Sequence, residues 1–208
     1  MRTLRAIINE AIDKGYLHKD SYPFSTPQAK SGKYKLTRLK SSYKPRGLSI
    51  YDMDKIKNFD SDLYNHLRKA HFYFLFSYFC YGMNFTDMAF LEWKNIKDNR
   101  INYERRKTKK GFSILITEPI QILLDSFRSL QQIKTNYIFP ILNDKVHKTP
   151  TSKNDRIKKS LKEFNLDLKQ IQKLLNIEEK LTSYSARHTS CQALRDKNVP
   201  VEDISELA

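Results

Sequence analysis

Apolar residues at helical spacing open the chain. Leu4, Ile7, Ile8, Ala11 and Ile12 fall on one face of residues 2–14, and Gly15 stands where a left-handed cap would end the helix. So short a helix is marginal alone, and its apolar face predicts a packing partner. The periodicity is lost between Gln28 and Leu48, where Gly, Ser and Pro punctuate the chain. Beyond it, Ser49-Ile50-Tyr51-Asp52 has the pattern of a capping box opening a short helix. A long helix is predicted over about 62–81, ending at Gly82, and a short one over about 85–92. The period then drops to two. Ile101, Tyr103 and Arg105 alternate with polar neighbours, Phe112, Ile114 and Ile116 alternate again, and Arg106-Lys107-Thr108-Lys109-Lys110-Gly111 lies between them. That is the pattern of a β-hairpin with a basic tip. Pro119 starts a helix running to about 131, and Phe139-Pro140 ends a short extended segment. Helices are predicted over about 152–163, 167–176 and 183–196, and Pro200 opens a last one. No internal repeat or low-complexity tract is present. The fold class is mainly α with a small antiparallel β-sheet, an α+β arrangement.

The 208 residues make one full-sized domain, or one domain and a remnant. Lys and Arg total 38 against 23 Asp and Glu, giving a formal net charge of +15. A polyanionic partner, nucleic acid or an anionic surface, is the default expectation for such a balance. With 12 Phe, 12 Tyr and 39% hydrophobic residues there is material for a core, which excludes a disordered basic tail as the bulk of the chain. Cys80 and Cys191 are the only cysteines, too few for a disulfide scaffold or a multi-cysteine zinc module, and they fit a reducing compartment. The most apolar run, Phe72 to Tyr81, is too short to span a membrane, and Arg68, Lys69 and His71 flank it. The first ten residues are amphipathic and charged, without a signal-peptide core. An intracellular protein with no membrane segment is expected.

The charge is concentrated in three places. Lys30, Lys33, Lys35, Arg38, Lys40, Lys44 and Arg46 occupy the unpatterned stretch with no acidic residue among them. This reads as an extended basic linker, either a solvated loop or a strap along phosphates. The hairpin tip is the second concentration. The third holds Lys145, Lys148, Lys153, Arg156, Lys158, Lys159 and Lys162 against Asp144 and Asp155. Basic clusters on separate elements suit a protein that wraps a duplex better than one with a single recognition helix; surface charge for solubility is the plainer account. Leu181 to Cys191 carries a polar cap into a helix with Arg187 and His188 in its second turn. Arg187 can offer a planar fork to a phosphate, although from the residues alone a structural Arg–His pair is the simpler account.

Taken in order, these pieces resemble the tyrosine recombinases of the phage and transposon integrase family, most of all integrases of mobile elements in Bacteroides-type bacteria. Leu4 to Phe24 looks like the last helix of the family's core-binding domain. Phe76 to Ile96, with Gly82-Met83-Asn84-Phe85-Thr86-Asp87, looks like the first catalytic box. Arg105-Arg106-Lys107-Thr108 looks like the hairpin bearing the catalytic lysine, and Tyr137-Ile138-Phe139-Pro140 is a further marker. Leu181 to Ala208 looks like the second box and the approach to the third. The resemblance implies a C-terminal piece of core-binding domain over 1–26, a basic linker over 27–48, and a catalytic domain over 49–208 that lacks its C-terminal end.

It also implies a reaction. Family members cut DNA with a tyrosine, leaving a 3′-phosphotyrosyl link and a 5′-hydroxyl that later rejoins, with no metal or nucleotide cofactor. Arginines clamp the phosphate oxygens and a lysine protonates the leaving oxygen. By position, Arg187 matches the second-box arginine and Lys107 the hairpin lysine, with Lys109 and Lys110 as rivals. DNA contacts are expected from Lys33, Lys35, Arg38, Lys40, Lys44, Arg46, Arg106, Lys109, Lys110 and His188. The implied partners are duplex DNA and, in the intact protein, three further copies forming a tetramer on it. The implied location is the nucleoid of a bacterial cytoplasm.

Three departures stand against the pattern. Where an arginine is expected in the first box, or just before its glycine, stand Asn84 and Tyr81, for which helix-capping and core roles are expected. The second box carries Tyr184 in place of histidine, either a hydrogen-bond donor to phosphate or a core aromatic. No tyrosine follows Tyr184, and no Gly-His precedes the end at Ala208. The expectation is a recombinase catalytic-domain fragment that binds duplex DNA without cutting it alone. The alternatives are a non-catalytic DNA-binding or accessory protein of a mobile element, and a helical RNA-binding protein.

Overall fold

The structure, a computed structural model, describes residues 2–24, 47–130 and 135–207. The chain divides into two units, Met1–Lys44 and Pro45–Ala208. Most of the basic linker, including Lys33, Lys35, Arg38, Lys40, Lys44 and Arg46, lies outside the described residues.

In the first unit, α1 spans Arg2–Asp13. Gly15 ends it at φ +74°, and the amides of Tyr16 and Leu17 both donate to the Ala11 carbonyl, 2.8 and 3.1 Å away. This is the left-handed cap that glycine permits at low steric cost. Leu4 and Ile7 on the helix's apolar face are exposed. Farther on, the Arg5 guanidinium lies 5.3 Å from the centre of the Phe24 ring, which is itself buried.

The second unit is built around one helix. Its first, α2 (Ile50–Lys57), starts with the predicted cap: the Ser49 hydroxyl oxygen accepts from the Asp52 amide at 3.0 Å. Helix α3 spans Arg68–Phe79, shorter than its apolar pattern predicts. The Asp60 carboxylate accepts from the amides of Asp62 and Leu63, which holds residues 60–64 in turns ahead of the helix. Ala70, His71, Tyr73, Phe74, Leu75, Phe76 and Ser77 are all buried, so α3 is covered on every side and is the unit's central element. Packed around it are α4 (Phe85–Phe90), α5 (Glu118–Leu130), α6 (Pro150–Leu174) and α7 (Ser185–Asp196), and a final α8 spans Val201–Leu207. Phe139 stands at the aromatic centre, with Phe127 and Phe76 edge-on at 4.7 and 4.8 Å. Such pairs contribute about 0.5–1.5 kcal/mol each beyond their area burial.

Helix α6 is continuous where two helices were predicted. Its buried stripe runs Ile157, Phe164, Leu168, Ile171, and the Asn165 side-chain amide donates to the Leu161 carbonyl at 3.0 Å. The polar residues in its middle therefore join the helix. Thr149 caps the start, with Pro150 in the first turn.

The sheet is antiparallel in order β1-β2-β3, with β1 at Ile96–Lys97, β2 at Arg100–Glu104 and β3 at Gly111–Leu115. The hairpin is in the predicted place, with Ile101 opposite Ile114 and Tyr103 opposite Phe112. Strand β1 was not predicted. Asp98 and Asn99 join it to β2, both at positive φ, the tight turn whose twist matches the strands.

No helix among the described residues is long and apolar enough to cross a membrane.

Candidate active site

Helix α3 ends at Cys80, and the chain reverses through Tyr81 at φ +53° and Gly82 at φ +76°. The Gly82 amide returns to the Ser77 carbonyl at 2.7 Å, and the Ser77 hydroxyl donates to the Met83 carbonyl at 2.8 Å. Asn84 then caps α4, its side-chain oxygen accepting from the Thr86 amide at 3.1 Å. Tyr81 is half-buried and packs against the core.

Across from this turn, α7 presents Arg187. A β-carbon at Gly82 would stand 2.6 Å from both Cα and Cγ of Arg187, so only glycine allows the approach. Arg187 Nη1 donates to the Gly82 carbonyl at 3.1 Å. Burial, and then the charge of Arg105, lower the Arg187 pKa, while Tyr184 and Tyr103 act in the opposite direction.

These groups meet in a tightly closed cleft, with no room for a water molecule, between the α3–α4 turn, the hairpin and α7, and Leu207 of α8 also lines it. Gly82, Asn84, Asp87, Tyr103, Arg105 and Arg187 contribute to its walls. Asp87 is only 7% exposed, and its Oδ1 accepts from the Arg106 amide at 3.0 Å. Burial first, then the Asp87 carboxylate, push the Tyr103 pKa well above the usual phenol value, so its hydroxyl keeps its proton and can donate. The nearby thiol of Cys80 is fully buried, and burial raises its pKa, which makes it inert as a nucleophile. Among the described residues no group of three His, Cys, Asp or Glu side chains is placed to hold a metal ion.

Of the residues expected from the sequence, Arg187 is in the cleft and Tyr184 beside it. Tyr184 is 52% exposed, which excludes a core role, and its ring meets His188 edge-on at 4.6 Å. Lys107 is exposed at the hairpin tip and does not line the cleft. Lys109 pairs with Glu104 at 3.4 Å, and the Lys110 ammonium donates to the Glu206 carbonyl at 3.1 Å. The Arg106 guanidinium stacks 3.7 Å over the Phe90 ring and faces a separate concavity with Lys148 and Lys153. Three polar residues of the cleft were not among the expected ones, Asp87, Tyr103 and Arg105. The signal for Arg105 is the period-two alternation, which puts it on the same face as buried Ile101 and half-buried Tyr103. For Asp87 the only signal is an acid in the first turn of a capped helix.

The phage integrase family model matches residues 53–208. Among solved structures, the chain is similar to the Tn1549 transposon integrase in complex with circular intermediate DNA, with a TM-score of 0.62 and 14% identity over 99% of this chain and 68% of that one. It is similar to a lambda integrase dimer bound to a COC′ core site, with a TM-score of 0.59 and 13% identity over 99% and 68%. It is also similar to XerA recombinase, with a TM-score of 0.56 and 14% identity over 80% of this chain and 57% of that one. At such identities the likeness is one of fold. Comparison with curated protein sequences finds no match. With most of its length matched by the family model, and the mainly helical fold with a small antiparallel sheet that its structural neighbours share, this chain belongs to the phage integrase family of tyrosine recombinases.

Proposed function

We propose that this chain is the DNA-binding catalytic-domain segment of a site-specific recombinase, in which Arg187 stabilises charge on a reacting phosphate. The observation that carries this reading is the seating of Arg187 against Gly82: a half-buried guanidinium fixed by one nitrogen in a cleft walled by the first box and the hairpin. A fixed cation in a partly desolvated cleft favours developing negative charge without reorganising first. Lys107, on the exposed tip, is assigned the protonation of the leaving oxygen. Tyr184 donates a hydrogen bond to the phosphate in the place histidine takes in the family. The exposed cations of the hairpin tip, with Lys145 to Lys162 on α6 and the turn before it, hold the duplex through its phosphates, as do the linker cations. The intact protein is assigned to a bacterial mobile element and acts as a tetramer.

The test uses the 208-residue chain with labelled duplex DNA over a range of salt. Affinity is expected to fall linearly with salt on logarithmic axes, and a nicked suicide duplex is expected to trap no covalent adduct. Salt-insensitive binding, or a preference for structured RNA in competition, would remove the DNA reading, and a phosphotyrosyl adduct would remove the second expectation. The capping role of Asn84 favours a second reading, a non-catalytic DNA-binding accessory protein. Strand cleavage by the product of the whole source gene separates the two.

A further inference from the structure

We propose that the concavity between the start of α3, the loop over 140–147 and α6 binds a small organic anion, an apolar body carrying one carboxylate or phosphate group. The inference does not rest on the reading of the cleft. Lys69 stands in the first turn of α3 and the cleft lies beyond its last, about 15 Å away along the helix axis.

The concavity has a volume of about 500 Å³, within the range of small-molecule sites. Leu130 at the end of α5, with Pro140, Ile141 and Leu142, gives it an apolar wall. Ile141 and Leu142 are each 2% exposed, so this wall is anchored in the core. Lys69, His147 and Arg156 line the rest, and no Asp or Glu among the described residues joins them. Neither Lys69 nor Arg156 forms a salt bridge among the described residues. A neutral aliphatic ligand would strip water from these donors and leave them unpaired, whereas an anion satisfies them.

The donors are positioned before any ligand arrives. Arg156 Nε donates to the Ile141 carbonyl at 3.1 Å, which ties the guanidinium to the loop and leaves its two terminal nitrogens for a ligand. Its charge also reaches the core: burial raises the pKa of Tyr73 on α3, and Arg156 opposes that rise. A charge felt that far inside is weakly screened, so an anion beside it gains more than at an open surface.

The loop is wound on Asn143. The Asn143 carbonyl accepts from the amides of Val146 and His147 at 3.2 and 2.8 Å, and its side-chain oxygen accepts from the Lys145 amide at 2.8 Å. His147 Nδ1 accepts from the Asn143 amide at 2.9 Å. An accepting ring nitrogen carries no proton, so Nε2 holds it and is the donor of the ring. Such preorganisation lowers the ordering cost of binding. No Phe, Tyr or Trp among the described residues lines the concavity, which gives a nucleobase no such ring to stack on and favours an alkyl or aryl body.

The experiment titrates the whole chain with anilinonaphthalene sulfonate, an apolar anion that fluoresces on leaving water, with melting curves alongside. Variants are Lys69→Glu and Val146→Glu, both at exposed positions on the rim, Arg156→Lys, and Lys97→Glu on β1 as a control of equal charge change. Lys69→Glu and Val146→Glu are each expected to weaken the probe about fivefold, the scale of one partly exposed ion pair reversed. Arg156→Lys keeps the charge, loses the fork and is expected to weaken it less, and Lys97→Glu to match the parent. Octanoate and octyl phosphate are expected to displace the probe, and octanol, of equal chain length, to leave it bound. Whichever anion acts at the lower concentration names the head group. A parent chain that does not bind the probe, binding unchanged in both Glu variants, or displacement by octanol as readily as by the anions would each overturn the proposal. Displacement by duplex DNA at the same salt, with the organic anions inert, would overturn it in favour of a DNA-contacting surface.

Discussion

Arg187 and Gly82 are in contact at the closest distance their backbones allow: a single added carbon on Gly82 would overlap Cα, Cβ and Cγ of Arg187 at 2.6–2.7 Å. The same pair is joined by the hydrogen bond from Arg187 Nη1 to the Gly82 carbonyl. The turn after α3 therefore acts as a template for the arginine on α7, and the two elements are 105 residues apart in sequence. Replacing Gly82 by alanine adds two penalties, about 1–2 kcal/mol for a left-handed residue with a β-carbon and about 1–3 kcal/mol for overpacking. Gly82→Ala is expected to lower the urea midpoint accordingly. An alanine variant with parent-like stability would show that the contact is slack.

Asp87 acts on Tyr103 through charge, and this is measurable by titration. Asp87→Asn keeps the side chain's size and its acceptor oxygen for the Arg106 amide but removes the negative charge. The Tyr103 phenol is expected to ionise at lower pH in this variant, since burial still raises its pKa but the carboxylate no longer does. Ultraviolet titration of the tyrosines, parent against variant and with a Tyr103→Phe control, reads the shift. An unchanged curve would mean that the carboxylate does not reach the phenol.

His71 makes the fold sensitive to mild acid. Its ring is buried, with Nε2 2.7 Å from the Ile56 carbonyl, and burial lowers its pKa. In the folded protein it stays neutral at a pH where the unfolded chain binds a proton. Stability is then complete above the unfolded value of about 6.5 and declines below it, by at most about 1.4 kcal/mol per pH unit from this one group. Urea unfolding of the parent and of His71→Gln between pH 7.5 and 5 gives the difference. The two curves are expected to converge as pH falls, and parallel curves would refute the assignment.

The concavity shared by Arg106, Lys148 and Lys153 offers a separable test of phosphate contact. Each lost contact lowers the logarithmic salt slope by about 0.9. Lys148→Gln and Lys153→Gln together are expected to reduce the slope for duplex DNA by about 1.8, measured by anisotropy between 50 and 200 mM salt. Lys153 also holds the Tyr137 hydroxyl at 3.1 Å, so a melting curve must accompany the measurement. An unchanged slope would place the duplex elsewhere.

Pattern alone located the hairpin, the α2 cap and the buried central helix, because each has a local cause in side-chain period or capping chemistry. It split α6 at Asn165, whose bond back to the Leu161 carbonyl depends on the helix already being formed. The two-residue β1 was missed because its pairing with β2 is carried by a turn of Asp98 and Asn99, and no glycine marks the positive φ. Arg187 was legible as a chemical group, but its contact with Gly82 was not, since nothing local links the two residues. The alternation exposed Arg105's face while the run of five basic residues around it drew attention to Lys107. Which cation in such a run turns inward is decided by strand register.

The bond from Asp87 to the Arg106 amide separates two kinds of change at the hairpin. The carboxylate grips main chain, a handle that every residue except proline provides. The side chain at position 106 is thus open to replacement without loss of this bond, while Arg105 keeps its address. Proline at position 106 is the one exchange that would release the hairpin, and with it the spacing of the two arginines.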